Sequence, residues 1–307
     1  MVQNELRKSK SMNKWQEFAG SKPITVLIII AFLCLVLRII DTFVLPVAVL
    51  VGELIISKAL GFILIVIYLW SINQRLNAIG IYKRNAGKAV VIGCSVVAIM
   101  LVMYYSVILI VTSSSGVEGS LKFVPTDPKT GKEGDFYFAL WLIFGNIVNV
   151  FMEEGLFRGL MTRKFLDRMS FWKTNFLQAF LFGIWHITWP IKDFLDGDLS
   201  FGGLIMQSIM ATFSALLVGL IWGYMYFKTA SLFASLLCHY FFNSTLNLIA
   251  FVSTSGQENI VDNAVTLAGA IALLVGLLSI YLIKLLAERW NLPQLQPWSA
   301  GEFIIGT

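Results

Sequence analysis

Long apolar runs separated by short polar segments dominate the pattern of this chain. The runs cover residues 24–40, 47–72, 89–112, 136–161, 175–191, 204–227, 231–252 and 263–284. Each is near the length of about 20 apolar residues that a helix needs to cross a bilayer. The pattern therefore predicts an all-α polytopic membrane protein with about eight transmembrane helices. The second run is the least regular because Glu53 and Lys58 interrupt it, and its apolar part is expected to start near Ile55.

Composition agrees with a membrane protein. Hydrophobic residues make up 57% of the 307 residues and charged residues only 13%, which excludes an ordinary soluble domain. The net charge of +5 indicates basic loops rather than an anionic partner, and no feature favours binding of nucleic acid. Cys34, Cys94 and Cys238 all lie in apolar runs, so no disulfide framework is expected.

The distribution of Lys and Arg between alternate loops predicts the orientation in the membrane. Sixteen of them fall on one side and four on the other. Basic loops face the cytoplasm, so both termini are expected there. We expect a cytoplasmic tail at 1–22, one membrane domain at 23–287 and a second cytoplasmic tail at 288–307. Because no organelle-targeting signal is visible, a bacterial cell membrane is the predicted location.

Two adjacent carboxylates and an arginine lie at the end of the fourth apolar run. Ionisable groups inside a membrane cost about 2.5 to 3.5 kcal/mol each on insertion scales, so they face one another or a water-filled cavity. Glu154 and Arg158 are four residues apart, share a helix face and are expected to pair. A snorkelling pair at a helix end would look the same. Glu153 points about 100° away and has no partner on this helix, so the pair does not explain it.

The two histidines of the chain, His186 and His239, both lie inside apolar runs. A lone buried histidine is more often a satisfied core residue than a catalyst. Here each has a companion at helical spacing, since Phe182 precedes His186 by four residues and Asn243 follows His239 by four. Together with Glu153, these residues form a plausible hydrolytic set.

The residue types in this set suit the activation of water. Desolvation disfavours the ionised form of a carboxylate, which makes Glu153 a candidate general base. His186 would orient the water and carry its proton to the leaving amine. His239 and Asn243 would each donate an N–H group to an oxyanion. No Ser or Cys lies in a recognisable nucleophile elbow, and Cys238 is not expected to act.

Three segments in this order resemble the motifs of a known family. E-E-G-L-F-R, F-G-I-W-H and H-Y-F-F-N are similar to E-E-x-x-x-R, F-x-x-x-H and H-x-x-x-N of the CAAX protease and bacteriocin-processing (Abi) family of intramembrane proteases. The resemblance covers about 136–250. It implies an endopeptidase with an intramembrane chamber open toward the cytoplasm and a membrane-embedded or lipid-associated peptide as substrate. The residues it assigns to catalysis are Glu153, His186, His239 and Asn243, supported by Glu154, Arg158 and Phe182.

Two other functions are compatible with the sequence. A bacteriocin self-immunity or scaffolding protein of the same fold would act by binding. A proton-coupled transporter would also use Glu and His inside the membrane, but related halves with broken helices are not evident.

Metal dependence has two possible answers. Glu153, His186 and His239 would supply the three protein ligands of a catalytic zinc. However, the H-E-x-x-H arrangement is absent, and ligation would remove His239 from the oxyanion role. We therefore expect a glutamate peptidase without a metal cofactor, with zinc as the alternative.

Overall fold

The protein is almost entirely helical in the residues that a computed structural model describes, which are 14–45, 54–127 and 131–298. The α-helices are α1 (Lys14–Ser21), α2 (Pro23–Phe43), α3 (Ile55–Ser71), α4 (Ala86–Ser114), α5 (Phe136–Glu153), α6 (Arg163–Leu166), α7 (Phe171–Ile184), α8 (Thr188–Leu195), α9 (Phe201–Thr229), α10 (Phe233–Leu248) and α11 (Glu258–Arg289). A π-helix, Glu154–Thr162, joins α5 to α6, and 3-10 turns cover Leu76–Ile79 and Trp185–Ile187.

Five of these helices are long and apolar enough to cross a membrane by length and composition. They are α2, α4, α9, α11 and the continuous segment Phe136–Leu166, and α3 is a shorter apolar helix. Large apolar side chains stand exposed on their outer faces, such as Trp70 at 77% and Leu278 at 75% exposure, as suits contact with lipid. The protein is thus an all-α, multi-pass membrane protein, as predicted. A helix occupies each of the eight apolar runs, whereas eight complete passes stay a prediction.

Close helix contacts depend on small residues. A Cβ atom added at Gly93 of α4 would collide with the backbone carbonyl of Ala234 in α10. One added at Gly183 of α7 would lie 2.5 Å from the carbonyl oxygen of Thr212 in α9. Because apolar burial does not drive helices together in lipid, such close backbone approach is a main source of packing energy.

The motif-bearing segment lies at the centre of the bundle. Every residue of the π-helix is buried. Helix α3 packs against α5 on one side, α2 packs against α3 and α8, and α10 packs against α5 on the other side. The two N-terminal membrane helices therefore form one wall of the region that holds Glu153.

Contacts between loops group them into two ends of the bundle. At one end, β1 (Gly119–Phe123) pairs antiparallel with β2 (Ile249–Ser253). At the other, the Lys228 ammonium lies 3.6 Å from the Glu288 carboxylate, and Leu232 N–H donates to the Gly80 carbonyl at 2.9 Å. This grouping agrees with the alternation of loops predicted from Lys and Arg.

Two boundaries differ from the sequence prediction. The run 231–252 was predicted as one helix, but α10 ends at Leu248 and the chain continues as β2, because pairing with β1 satisfies its backbone groups. The run 175–191 is divided by the 3-10 turn at Trp185–Ile187. Helix α8 begins two residues before Pro190, where the missing N–H of a proline does no harm because first-turn N–H groups have no helical partner.

Some predictions lie at the margins of the described chain. Helix α3 begins at Ile55, as the apolar pattern predicts, while residues 47–53, including Glu53, lie outside the described residues. The same holds for 1–13 of the predicted N-terminal tail and for 299–307 of the C-terminal tail. After α11 the chain is irregular up to Trp298, and Leu292 and Leu295 are buried.

Candidate active site

Separate helical elements bring Glu153, Glu154 and His239 into one buried region. Glu153 is the last residue of α5, Glu154 is the first residue of the π-helix, and His239 lies in the middle of α10. The His239 Nε2 atom is 3.8 Å from Glu153 Oε2, and its Nδ1 atom is 3.0 Å from Glu154 Oε1. The structure therefore places one imidazole between the two adjacent carboxylates.

The π-helix begins at the second carboxylate of the motif. Such segments are rare and frequently lie at functional sites. In this one, the Thr162 hydroxyl donates to the carbonyl of Phe157, five residues earlier, at 3.1 Å. Gly159 lets the segment approach the turn at Leu76–Ile79, since an added Cβ would lie 2.9 Å from Ile79 Cβ. The sequence prediction assumed α-helical geometry throughout, and the Glu154–Arg158 pair forms in spite of the change.

The two oxygens of the Glu153 carboxylate have different surroundings. Oε1 accepts hydrogen bonds from Trp185 Nε1 at 3.0 Å and from the Lys58 ammonium, and Arg38 Nη1 lies 3.6 Å away. Oε2 is buried and accepts no hydrogen bond from any residue in the described ranges. One oxygen is thus held in place, and the other is directed toward His239.

Lys58 and Arg38 are site residues that the sequence analysis missed. It found no partner for Glu153 on its own helix, but these partners come from α3 and α2, and each is only 2% exposed. Lys58 also donates to Asn149 Oδ1, and Arg38 Nε donates to Thr188 Oγ1 at 2.9 Å. The sequence feature that could have identified them is a single cation in each of two apolar runs, because charges inside a membrane pair with one another.

The second carboxylate orients the histidine. Glu154 Oε1 accepts from Arg158 Nη1 and from His239 Nδ1, both at 3.0 Å. An ionised carboxylate only accepts hydrogen bonds, so Nδ1 carries the proton and Nε2 of a neutral His239 is an acceptor. The Arg158 guanidinium lies 4.2 Å from the Phe182 ring centroid, and both side chains are almost completely buried. The predicted supporting residues therefore contact one another.

Aromatic rings fix the planes of both imidazoles. Trp222 stacks on His239, with ring centroids 4.0 Å apart and an interplanar angle of 23°. Phe182 packs its edge against His186 at 4.7 Å and against His239 at 6.2 Å. These contacts remove rotational freedom from the rings and keep the region apolar.

His186 lies near Glu153, and Asn243 follows His239 on α10. His186 Nδ1 lies 2.8 Å from the Phe182 carbonyl, which only accepts, so Nε2 remains available as an acceptor. His186 also interacts electrostatically with Glu153. Asn243 is half-buried one turn after His239 on α10, and its amide hydrogen-bonds to nothing among the described residues.

The geometry changes one expected role. Donation from His239 to an oxyanion requires a proton on Nε2. Because Nδ1 already donates to Glu154, a neutral His239 has no such proton, and only the imidazolium form can donate from Nε2. Asn243 can donate whatever the charge of the histidine.

The donor set does not fit a zinc centre. Within the described parts of the chain, no three His, Cys, Asp or Glu side chains are placed to hold a metal ion together. The alternative ligand set was Glu153, His186 and His239. Lys58 and Arg38 already lie against the first of these, and their positive charges would repel a divalent cation at that carboxylate.

A family comparison agrees with these observations. Residues 135–245 match the family model described as type II CAAX prenyl endopeptidase Rce1-like. No curated protein and no solved structure matches the chain. The matched segment begins at the residue that caps α5, ends within α10 and contains all three motifs. Residues 135–245 of this multi-pass membrane protein are therefore similar to Rce1-like type II CAAX prenyl endopeptidases, in agreement with the resemblance of the three motifs.

Proposed function

We propose that this protein is an intramembrane endopeptidase in which Glu153 activates a water molecule to hydrolyse a peptide bond. The observation that carries the proposal is the buried Oε2 atom of Glu153, which accepts no hydrogen bond from the described residues and lies 3.8 Å from His239 Nε2. A buried acceptor without a partner calls for an explanation. Two acceptors separated by more than 3.5 Å can both accept hydrogen bonds from one bridging water.

The first step of the proposed reaction uses this pair of acceptors. Glu153 Oε2 takes a proton from the water, while His239 Nε2 accepts its other hydrogen and fixes its orientation. The water oxygen forms a bond with the carbonyl carbon of the substrate. Asn243 donates an amide N–H to the oxyanion that develops, a contribution worth about 10² to 10³ in rate for donors of this kind.

The second step is the departure of the amine. The C–N bond breaks as the nitrogen receives a proton that originated in the water. His186 is suited to this transfer, since its Nδ1 is tied to the Phe182 carbonyl and its Nε2 can accept a proton and release it. The products are a carboxylate and a protonated amine, which together carry both protons of the water, and Glu153 returns to its ionised form.

We propose that the reaction uses no metal ion. The positive charge next to Glu153 comes from Lys58 and Arg38, which already compensate the buried carboxylate. The substrate class that we propose is a membrane-embedded or lipid-associated peptide, because the site lies at the centre of a bundle of membrane helices. A role in binding alone, as in immunity or scaffolding, does not require a carboxylate oxygen that faces His239 Nε2 and accepts no hydrogen bond from the described residues. Proton-coupled transport does not require an amide such as Asn243 one turn after His239.

We further propose that both termini face the cytoplasm of a bacterial cell, which rests on the excess of Lys and Arg on one side. A cysteine at Ser255, exposed between β2 and α11, is then labelled by an impermeant maleimide added to intact cells. A cysteine at Lys83 is labelled only after lysis. The reverse labelling pattern would overturn this orientation.

The proposed activity is tested by comparing membrane proteomes. Cells carrying the wild type or Glu153→Ala are analysed for new peptide termini in the membrane fraction, with Glu288→Ala as a control at a carboxylate outside the site. We expect at least one terminus that requires Glu153 but not Glu288. Identical sets of termini in the wild type and Glu153→Ala would contradict the proposal.

A further inference from the structure

A lysine outside the matched family segment lies against the proposed general base. Lys58 is buried in α3, and its ammonium donates to Glu153 Oε1 and to Asn149 Oδ1. The two acceptors are four residues apart on α5 and so share one helix face. Lys58 therefore contacts two successive turns of the helix that ends in the catalytic motif.

The donors around Glu153 all converge on one oxygen. Besides Lys58, Trp185 Nε1 donates to Oε1 at 3.0 Å, and Arg38 Nη1 lies 3.6 Å from it. The Arg38 guanidinium also lies 4.8 Å from the Trp185 ring centroid, so these two donors support each other. None of the three contacts involves Oε2, which is left toward His239.

The backbone around Lys58 is itself held in place. The N–H of Ser57, the preceding residue, donates to Asp41 Oδ2 at 2.7 Å, which ties the first turn of α3 to α2. Gly61, three residues after Lys58, lets α3 approach α5, because an added Cβ would lie 2.9 Å from Met152 Cγ. The Lys58 side chain thus reaches Glu153 from a backbone segment that is held in place.

We propose that Lys58 is a positioning residue for the endopeptidase reaction. By holding Oε1, it turns Oε2 toward His239 and compensates the charge that Glu153 needs as a base. This proposal rests on the proposed function, because it assigns the orientation of the same carboxylate. It also makes α3, which carries none of the three motifs, a necessary part of the active site.

The test uses purified protein in detergent and an internally quenched peptide that ends in a prenylated cysteine followed by three residues. Lys58→Met is expected to lower kcat by about 10²-fold with KM within about twofold of wild type, since misplacing a catalytic group by about 1 Å has an effect of this size. Lys58→Arg keeps the positive charge and is expected to recover at least a tenth of the wild-type kcat. Lys228→Met is the matched control, because Lys228 pairs with Glu288 away from the site, and wild-type kinetics are expected.

A variant that keeps both charges covers the case in which Lys58→Met does not fold. Asn149→Ala removes only the second acceptor of Lys58 and is expected to lower kcat about tenfold without raising KM. Wild-type kcat in Lys58→Met, or in Asn149→Ala if the first variant is unfolded, would overturn the proposal. A raised KM with unchanged kcat would instead assign Lys58 to substrate binding and would also overturn it. Failure of the proposed function is distinguishable, because the wild type and Glu153→Gln would then cleave at the same rate.

Discussion

His239 donates a hydrogen bond from Nδ1 to Glu154 Oε1 at 3.0 Å, and this contact determines which nitrogen of the ring remains an acceptor. The same carboxylate oxygen also accepts from Arg158, which is completely buried. Glu154 therefore has two tasks, since it orients the histidine and compensates a cation in the interior of the bundle.

The first prediction concerns the buried pair Glu154–Arg158. Glu154→Gln leaves Arg158 without a compensating charge, so the free energy of unfolding is expected to fall by about 3 to 5 kcal/mol, together with activity. The double variant Glu154→Gln/Arg158→Met removes both charges and is expected to unfold at a higher temperature than the single variant. Thermal unfolding in detergent measures both effects.

The control for this pair is an exposed one. Lys192 and Asp196 form an ion pair one helical turn apart, where solvent screens the charges. Lys192→Met is expected to change the free energy of unfolding by no more than about 1 kcal/mol. A loss in Lys192→Met as large as that in Glu154→Gln would contradict the importance given to burial.

The second prediction concerns the residues proposed to act on the transition state. Asn243→Ala is expected to lower kcat by about 10² to 10³ with little change in KM, because an oxyanion donor acts on charge that develops during the reaction. His239→Ala is expected to have at least as large an effect, since it removes the acceptor that orients the attacking water. Asn247→Ala, one turn further along α10, serves as the matched control. A pure rise in KM for Asn243→Ala would assign this residue to substrate binding.

The third prediction concerns metal. Lys58 and Arg38 lie against Glu153 Oε1, and their positive charges would repel a divalent cation at this carboxylate, so the purified protein is expected to contain far less than one zinc per chain. Its cleavage of the quenched peptide is expected to survive prolonged dialysis against a chelator. Stoichiometric zinc by elemental analysis, with activity lost on chelation and restored by added metal, would recast Glu153, His186 and His239 as ligands.

The fourth prediction concerns the packing of the π-helix. Gly159→Ala places a methyl group about 2.9 Å from Ile79 Cβ, so the free energy of unfolding is expected to fall by about 1 to 3 kcal/mol. Gly269→Ala, in α11, has open space around the added methyl group and removes a poor helix former, so it is expected to be neutral or stabilising. Equal thermal midpoints for the two variants would contradict the close contact at Gly159.

The sequence predicts what depends on local spacing. The apolar runs locate the membrane helices because their length is set by the bilayer. The pair Glu154–Arg158 is predictable because both residues lie on one helix, four positions apart. The family motifs also lie within single segments, which is why a resemblance can be stated from the sequence alone.

The contacts of Glu153 were not predictable in this way. Lys58 is 95 residues away in the sequence and comes from a helix without a motif. Which cation meets which carboxylate depends on how α3 packs against α5, and apolar periodicity does not specify this. The pairing of β1 with β2 and the π-helix at Glu154 were missed for a related reason, since neither has a periodic sequence signal.

The most direct test of the account is the rate of peptide cleavage by Glu153→Gln. Loss of the Glu153 carboxylate leaves Lys58 and Arg38 without their buried counterion, so stability must be measured as well as activity. The double variant Glu153→Gln/Lys58→Met is a second inactive variant with one fewer uncompensated charge. The measurement is kcat for the quenched prenylated peptide by purified, folded protein in detergent, with Glu288→Gln as control. The account predicts full activity in Glu288→Gln and no cleavage above the uncatalysed background in either Glu153 variant. Cleavage by folded Glu153→Gln at the wild-type rate would contradict the claim that Glu153 activates the water.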